Sequence, residues 1–181
     1  VHHGNGTEDI FLGDPSLLFI STHQYPFYPG TGSAVVTGAG LATGTTINVP
    51  LPQGSGGAEY RLAFSKVVLP ALRRYAPDLI LVSAGFDTHA RDPLAGMSLV
   101  EDDYAELIRG LLSVQPRVAM VLEGGYNLEA LASSVLASLR VLVDYNRASA
   151  PGQERSDDFG SRNLIEEARQ NIAEVQRIHH L

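Results

Sequence analysis

The sequence predicts an α/β fold built around a parallel sheet, and two features of the chain lead to that class. Residues 79–85 and 118–122 are apolar at nearly every position. Such continuous runs are typical of strands buried on both faces. Stretches with helical periodicity precede, separate and follow these runs. Because buried strands alternate with helices, we expect parallel strands covered by helices on both faces.

The first part of the chain carries weaker patterns. Residues 17–21 form a short apolar run after a Gly-Asp-Pro turn and are predicted to be a buried strand. Residues 25–56 are rich in Gly, Pro and Thr, which predicts a long loop of the kind that often carries function. A helix is expected over 58–75, where Pro70 should kink or divide it.

The second part alternates regularly. Strands are predicted at 79–85 and 118–122. Helices are predicted from a cap at Ser98 to about Ser113 and from Leu128 to Tyr145. Residues 148–161 form a polar linker, followed by a final helix whose apolar residues recur at helical spacing. We therefore divide the chain into a domain over 1–147 and a linker with an amphipathic helix over 148–181, packed on the same domain.

Composition limits the possible functions. The 181 residues are 44% hydrophobic and contain no cysteine, so a metal site must use His, Asp or Glu. A net charge of −7 without a basic stripe argues against direct nucleic-acid binding and mildly favours cationic substrates. No apolar run has membrane-spanning length and no signal-peptide pattern opens the chain. We expect no membrane partner and a cytoplasmic location, and make no prediction of oligomeric state.

Three polar positions are candidates for one site. His2 belongs to a histidine pair followed by glycines, while Asp87 and Tyr126 each come just after a predicted strand. Ligands bind beyond the carboxyl ends of parallel strands, so these side chains should meet in one crevice. Each also has a plainer interpretation. Asp87 could equally cap a helix or form an ion pair, and Tyr126 could be a packed core residue.

Several motifs together resemble the histone deacetylase superfamily, which includes bacterial deacetylase-like amidohydrolases and acetylpolyamine amidohydrolases. The resemblance covers Val1 to about Leu142, and the motif sequences are most similar to those of bacterial proteins related to class II deacetylases. It rests on the following segments, in the order that the family has them: HHGNGT at 2–7, STH at 21–23, FYPGTG at 27–32, SAGFDTH at 83–89, DPL at 92–94 and EGGYN at 123–127.

The resemblance implies a parallel-sheet arginase/deacetylase-like fold whose N-terminal part lies outside this chain. It also implies a hydrolase that removes acetyl groups from lysine side chains or acetylated amines, with one Zn²⁺ per site. Carried over, His2 and Asp87 are zinc ligands and Tyr126 is the catalytic tyrosine that stabilises the oxyanion. Tyr28 and Leu94 line the tunnel for the acyl-lysine.

The resemblance further implies structural monovalent cations such as K⁺. Ser21 and Thr22, with the backbone of His2, match one such site. Phe11, Asp14 and Leu17 match a second.

The chain departs from the family pattern at its beginning. The first zinc-binding aspartate of the family would lie immediately before Val1, and the tandem histidines that act as general base and acid lie further upstream. His3 and His23 do not match that tandem. We therefore expect the chain to be the C-terminal part of a deacetylase and to be inactive alone.

Two alternatives remain open. An arginase-like dinuclear hydrolase shares the fold, but its two-metal site requires additional carboxylates at the positions where this sequence has Gly4 and His89. The second alternative is a non-catalytic deacetylase-like module that serves in interactions. The presence of both Asp87 and Tyr126 argues against it.

Overall fold

A computed structural model describes residues 1–147 and 164–181. The helices and strands, in chain order, are α1 (Asn5–Phe11), β1 (Phe19–Gln24), β2 (Thr46–Leu51), α2 (Gly57–Ala63), α3 (Leu69–Tyr75), β3 (Ile80–Ala84), α4 (Glu101–Val114), β4 (Val118–Leu122), α5 (Leu128–Arg147) and α6 (Glu166–His179). A short 3₁₀ turn, Gly40–Ala42, precedes β2. None of the described helices is long and apolar enough to cross a membrane.

The strands form two parallel pairs. β1 lies beside β2 with Phe19 opposite Thr46, and β3 lies beside β4 with Ile80 opposite Val118. β3 and β4 are joined through α4, whereas the connection from β1 to β2 contains only the 3₁₀ turn. Parallel strands packed with helices are the α/β arrangement that the apolar runs predict. The predicted fold class is therefore confirmed, and so are the positions of β3 and β4.

The predicted long loop is wrong over part of its length, because it contains β2. Every residue of β2 is buried, including Thr46 and Asn48. The NH₂ group of Asn48 donates to Glu8 Oε2 at 2.6 Å, which satisfies the donor side of this buried amide. Those polar residues and Pro50 interrupt the apolar pattern that identifies strands. The strand predicted over 17–21 is observed over Phe19–Gln24. The helix α1 has no counterpart among the predicted elements.

Pro70 divides the predicted helix as expected. α2 and α3 are joined by a π-helical turn, Phe64–Val68, in which the Leu69 N–H donates to the Phe64 carbonyl. Proline has no N–H to continue the regular helical ladder, and the wider turn absorbs the defect. The two helices therefore follow each other without an intervening loop.

The predicted cap at Ser98 is wrong. The Ser98 N–H donates to the Ser55 carbonyl in an extended segment, and α4 begins at Glu101. At the true start, the Val100 N–H donates to Asp103 Oδ2 at 2.9 Å. The carboxylate in the first turn, rather than a serine before it, satisfies that exposed donor.

One connected core joins both strand pairs. Leu18, Ile20, Val82 and Met120 pack against both of its apolar clusters. From α6, Ala168, Ile172 and Val175 are buried in the same cluster as the β2 side chains. The final helix therefore packs on this core, whereas the predicted linker at 148–161 lies outside the described residues.

Within the described chain, one face of β3 and β4 is not covered by helices. Ile80 and Ala84 are buried on the inner face, while Leu81 and Val121 point outward and are exposed. Alternate side chains of a strand face opposite sides of a sheet, so exposure of this set leaves one whole face open in the described chain.

Candidate functional site

The ends of β3 and β4 are tied together beyond the strands themselves. The Glu123 N–H donates to the Ala84 carbonyl at 3.1 Å, and the Phe86 N–H donates to the Gly124 carbonyl at 2.8 Å. This register brings residue 124 against the carboxylate of Asp87. A Cβ at position 124 would lie 2.3 Å from Asp87 Oδ2, so this close approach requires glycine.

The buried carboxylate of Asp87 faces the beginning of the chain. Its Oδ1 accepts a hydrogen bond from the α-amino group of Val1, and its Oδ2 lies 3.5 Å from His2 Nδ1. The His2 ring stacks on Phe27 with 5.4 Å between centroids and meets the edge of Tyr28 at 5.9 Å. The structure thus brings together three of the residues that the sequence selects: His2, Asp87 and Tyr28.

The spacing of His2 and Asp87 suits a metal ion. The 3.5 Å between His2 Nδ1 and Asp87 Oδ2 is longer than an ordinary hydrogen bond. It is close to the separation of about 3.3 Å between neighbouring ligands around tetrahedral zinc, given bonds of about 2.0–2.1 Å. Among the described residues no group of three or more His, Asp or Glu side chains could hold a metal. The two donors have the spacing of two neighbouring ligands of one metal ion.

Tyr126 enters this region through its backbone. Its N–H donates to Asp92 Oδ2 at 2.7 Å, and the Leu94 N–H donates to Asp92 Oδ1 at 2.9 Å. The side chains of Tyr126 and Leu94 are both about half exposed. One buried carboxylate thus positions two of the residues that the sequence selects.

A buried tyrosine supports the turn that carries Asp87. The Tyr104 hydroxyl donates to the Phe86 carbonyl at 3.2 Å and lies 2.8 Å from the Thr88 hydroxyl. Since the carbonyl can only accept, Thr88 donates to Tyr104. Burial raises the pKa of Tyr104, which keeps this hydroxyl protonated as a donor.

His3 faces away from Asp87 into a separate polar network. Its Nε2 lies 3.2 Å from Glu8 Oε2 and its Nδ1 lies 2.8 Å from the Thr31 hydroxyl. Asn48 donates to the same oxygen of Glu8. Adjacent histidines therefore have different surroundings, which agrees with keeping His3 out of the metal site.

His23 fixes the loop that carries Tyr28. Its Nε2 lies 2.9 Å from the Gly32 carbonyl and its Nδ1 lies 3.0 Å from the Ser21 hydroxyl. Nε2 must carry the proton, because a carbonyl only accepts, and Ser21 then donates to Nδ1. Burial lowers the pKa of His23 to about 4, so the ring is neutral at neutral pH.

The residues predicted to bind monovalent cations make other contacts. Ser21 and Thr22 lie on β1, where the Ser21 hydroxyl bonds to His23. Phe11 ends α1; its carbonyl accepts from the Asp14 N–H at 3.0 Å, and the Asp14 carbonyl accepts from the Leu17 N–H at 3.5 Å. Hydrogen bonds from Ser16 lower the pKa of the Asp14 carboxyl. Cation binding at either group stays a prediction.

Sequence reasoning assigned no role to Glu8, Asp92 or Tyr104. Asp92 belongs to the DPL segment at 92–94, and its Asp-Pro dipeptide is a turn signal, but neither feature indicates which residues it contacts. Glu8 and Tyr104 lie at ordinary helical positions. Their importance comes from partners far away in the chain, which no local pattern reveals.

Comparison with known sequences places this geometry in a family. The family model described as "Histone deacetylase domain" matches residues 1–142. Histone deacetylase 10, chloroplastic, from Oryza sativa subsp. japonica is 44% identical over all of this chain and 41% of its own length. A probable deacetylase from Archaeoglobus fulgidus is 34% identical over 98% of this chain and 52% of its own length.

Solved structures agree with this assignment. The crystal structure of the HDA15 HD domain matches 99% of this chain and 48% of its own, with a TM-score of 0.84 and 34% identity. The histone deacetylase Clr3 matches 99% of this chain and 30% of its own, with a TM-score of 0.86 and 35% identity. The chain spans about half the length of these relatives or less, and it belongs to the histone deacetylase family with the fold of that family's catalytic domains.

Proposed function

We propose that the full-length protein containing this chain is a zinc-dependent hydrolase that removes acetyl groups from lysine side chains or acetylated amines. The observation that carries the proposal is the pairing of His2 Nδ1 with buried Asp87 Oδ2 at 3.5 Å. This pair lies where β3 and β4 end, beside the turn that leads to Tyr126, in a member of the histone deacetylase family.

In this proposal His2 and Asp87 bind one Zn²⁺, and a further ligand comes from residues outside the 181. When bound, zinc supplies a Lewis acid for the scissile carbonyl and lowers the pKa of water. Asp87 suits the task because burial keeps solvent from its oxygens. Phe27 supports zinc binding indirectly, because its ring stacks on His2 and holds the imidazole in one orientation.

Tyr126 contributes a hydrogen bond to the oxyanion that forms as the amide carbonyl is attacked. A donor fixed before the reaction stabilises that charge without reorganisation. The backbone before Tyr126 is closely packed, because an added Cβ would lie 2.3 Å from Asp87 Oδ2 at Gly124 and 2.8 Å from Leu131 Cδ1 at Gly125. No described residue takes the role of general base, which we assign to residues outside this chain.

The substrate channel would be lined by Tyr28 and Leu94. Both side chains are exposed, and Tyr28 contacts the His2 ring. Apolar walls leading to a polar end suit a long aliphatic side chain with an acyl amide at its tip. The net charge of −7 favours substrates with additional positive charge, such as basic peptides or polyamines.

The remaining expectations belong to the same proposal. They are structural K⁺ at the two carried-over sites, a cytoplasmic location, and no direct contact with nucleic acid or membrane. We also expect the 181 residues alone to be inactive, because their described part supplies two metal ligands and no general base.

An arginase-like dinuclear site is disfavoured by His89. Its Nδ1 accepts the Arg91 N–H at 3.0 Å, and its Nε2 lies 3.5 Å from Glu101 Oε1. The ring is therefore engaged with the α4 side of the molecule. Gly4, at the other position where such a site needs a carboxylate, has no side chain to offer.

The test uses the full-length protein and an acetyl-lysine reporter substrate. We expect about one zinc per molecule, loss of hydrolysis when the metal is chelated, and a fall of about a hundredfold or more in kcat for Tyr126→Phe. Tyr145→Phe, an exposed tyrosine on α5, is the matched control and should keep full activity. Hydrolysis unaffected by Tyr126→Phe would remove that residue from the mechanism. Absence of both zinc and hydrolysis would favour the non-catalytic module.

A further inference from the structure

We propose that Asp92 is a positioning residue that fixes Tyr126 and Leu94 relative to each other and so controls turnover. This inference rests on the proposed role of Tyr126. The carboxylate is buried, with Oδ2 accepting the Tyr126 N–H at 2.7 Å and Oδ1 accepting the Leu94 N–H at 2.9 Å. Both of its oxygens are thus used by backbone donors from segments that lie far apart in sequence.

Asp92 is itself tied to the turn that carries Asp87. The Asp92 N–H donates to the His89 carbonyl at 2.8 Å, and the His89 N–H donates to the Phe86 carbonyl at 3.3 Å. A short run of hydrogen bonds therefore connects the residue before Asp87 to the backbone of Tyr126. These hydrogen bonds connect the turn that carries Asp87, the proposed metal ligand, to the backbone of Tyr126, the proposed hydroxyl donor.

The segment before Tyr126 needs such an anchor. Gly124 and Gly125 have no side chains to pack, and Gly125 has a φ of +140°, a conformation that side chains disfavour. The Gly124 carbonyl accepts the Phe86 N–H at 2.8 Å, and the Asn127 side chain donates to the Arg91 carbonyl at 3.1 Å. Between these two points, Asp92 holds the N–H of Tyr126 itself. A catalytic donor displaced by even about 1 Å loses much of its effect, so the anchor should be visible in the rate.

A carboxylate suits this position better than a neutral side chain. It offers two acceptor oxygens, and hydrogen bonds to a charged acceptor are stronger than neutral ones. Asn would keep the shape but replace one oxygen by an NH₂ group, which would face a backbone N–H. One of the two backbone donors would then lose its partner.

The experiment compares Asp92→Asn with Asp103→Asn in the full-length protein. Asp103 also accepts a backbone N–H through its carboxylate, but at the start of α4. We expect Asp92→Asn to lower kcat roughly ten- to a hundredfold per folded molecule, the effect of one lost hydrogen bond to a charged group. Asp103→Asn should lower the melting temperature and leave kcat unchanged. Unchanged kcat in Asp92→Asn would overturn the proposal.

A double-mutant cycle with Tyr126→Phe separates positioning from general damage. If Asp92 acts through the Tyr126 hydroxyl, adding Asp92→Asn to Tyr126→Phe should change kcat by less than about twofold. An equal fractional loss in both backgrounds would overturn the proposal. If Asp92→Asn does not fold, Asp92→Glu keeps the charge, shifts it by one methylene and enters the same cycle.

The two proposals fail in different ways. A silent Tyr126→Phe variant would contradict the proposed function. A large loss in Tyr126→Phe with a silent Asp92→Asn would contradict the positioning role alone.

Discussion

The two parallel strand pairs have the same geometry but different surroundings. All of β2 is buried, and α6 packs against it with Ile172 and Val175. In β3 and β4 alternate residues such as Leu81 and Val121 are exposed. We call β1 and β2 the closed pair, and β3 and β4 the open pair. Asp87 and Tyr126 follow the ends of the two strands of the open pair.

The polar residues differ in the same way. Beside β1 and β2, the buried histidines His3 and His23 are engaged by protein partners on both ring nitrogens. At the ends of β3 and β4, His2 remains partly exposed and faces one oxygen of Asp87. Satisfied buried polar groups specify a structure. The 3.5 Å between His2 Nδ1 and Asp87 Oδ2, by contrast, exceeds an ordinary hydrogen bond.

The largest expected difference is in the free energy of unfolding, when a leucine is truncated to alanine in one pair or in the other. Leu51 in β2 is fully buried, whereas Leu81 in β3 is 70% exposed. We expect Leu51→Ala to lower the free energy of unfolding of the 181-residue chain by about 2–5 kcal/mol, because it leaves a cavity. Leu81→Ala should change it by less than about 0.5 kcal/mol. Denaturant unfolding measures both, and equal losses would contradict the contrast between the pairs.

The next effect concerns pH and the closed pair. Burial lowers the pKa of His23 from its ordinary value of 6.5 to about 4, so folding favours the neutral ring. The stabilisation is present above pH 6.5 and is lost as the pH falls toward 4, because the unfolded chain binds the proton first. Between about pH 7.5 and about pH 5, this single group should cost about 2 kcal/mol of stability.

His23→Gln provides the check, since glutamine does not titrate. The fall in unfolding free energy over that pH interval should be smaller in His23→Gln than in the unchanged chain. Replacing the exposed His180 by Gln should leave the fall as it was. An identical pH dependence in all three chains would show that His23 titrates normally.

A smaller effect is expected at the open pair, and on metal rather than on stability. A Cβ at position 124 would meet the Asp87 carboxylate at 2.3 Å, so Gly124→Ala must displace it. We expect zinc affinity of the full-length protein to fall about tenfold or more, as when partners of ligands are disturbed. Gly6→Ala is the control, because no atom lies within 4 Å of its added Cβ. Unchanged affinity in Gly124→Ala would separate Asp87 from the metal.

The parts of the fold that sequence predicts are those with an uninterrupted pattern. β3 and β4 follow from continuous apolar runs, and α6 from apolar residues at helical spacing. β2 is not predicted because Asn48 and Pro50 break its apolar pattern. The partner of the Asn48 NH₂ group is Glu8, 40 residues away. The exposed face of β3 is not predicted either, because a run of apolar residues does not show which of its side chains are covered.

The site divides along the same line. The proposed site residues His2, Asp87 and Tyr126 are selected because glycines lie beside them and the motifs match a family pattern. Asp92 acts through the backbone of Tyr126, 34 residues further on, and the sequence contains no sign of that contact. The residues proposed for the chemistry lie in recognisable motifs, whereas the contact proposed for Asp92 depends on the folded chain.

The adjacent histidines offer the most direct test of the central claim that the strand-end site beside His2 binds zinc. His2 faces Asp87, while His3 faces Glu8 and Thr31. Zinc per molecule should be measured in the full-length protein for His2→Asn and His3→Asn. We predict that His2→Asn loses the metal and remains folded, whereas His3→Asn retains about one zinc and unfolds more easily. Retention of zinc by His2→Asn, or its loss from a folded His3→Asn protein, would contradict the claim.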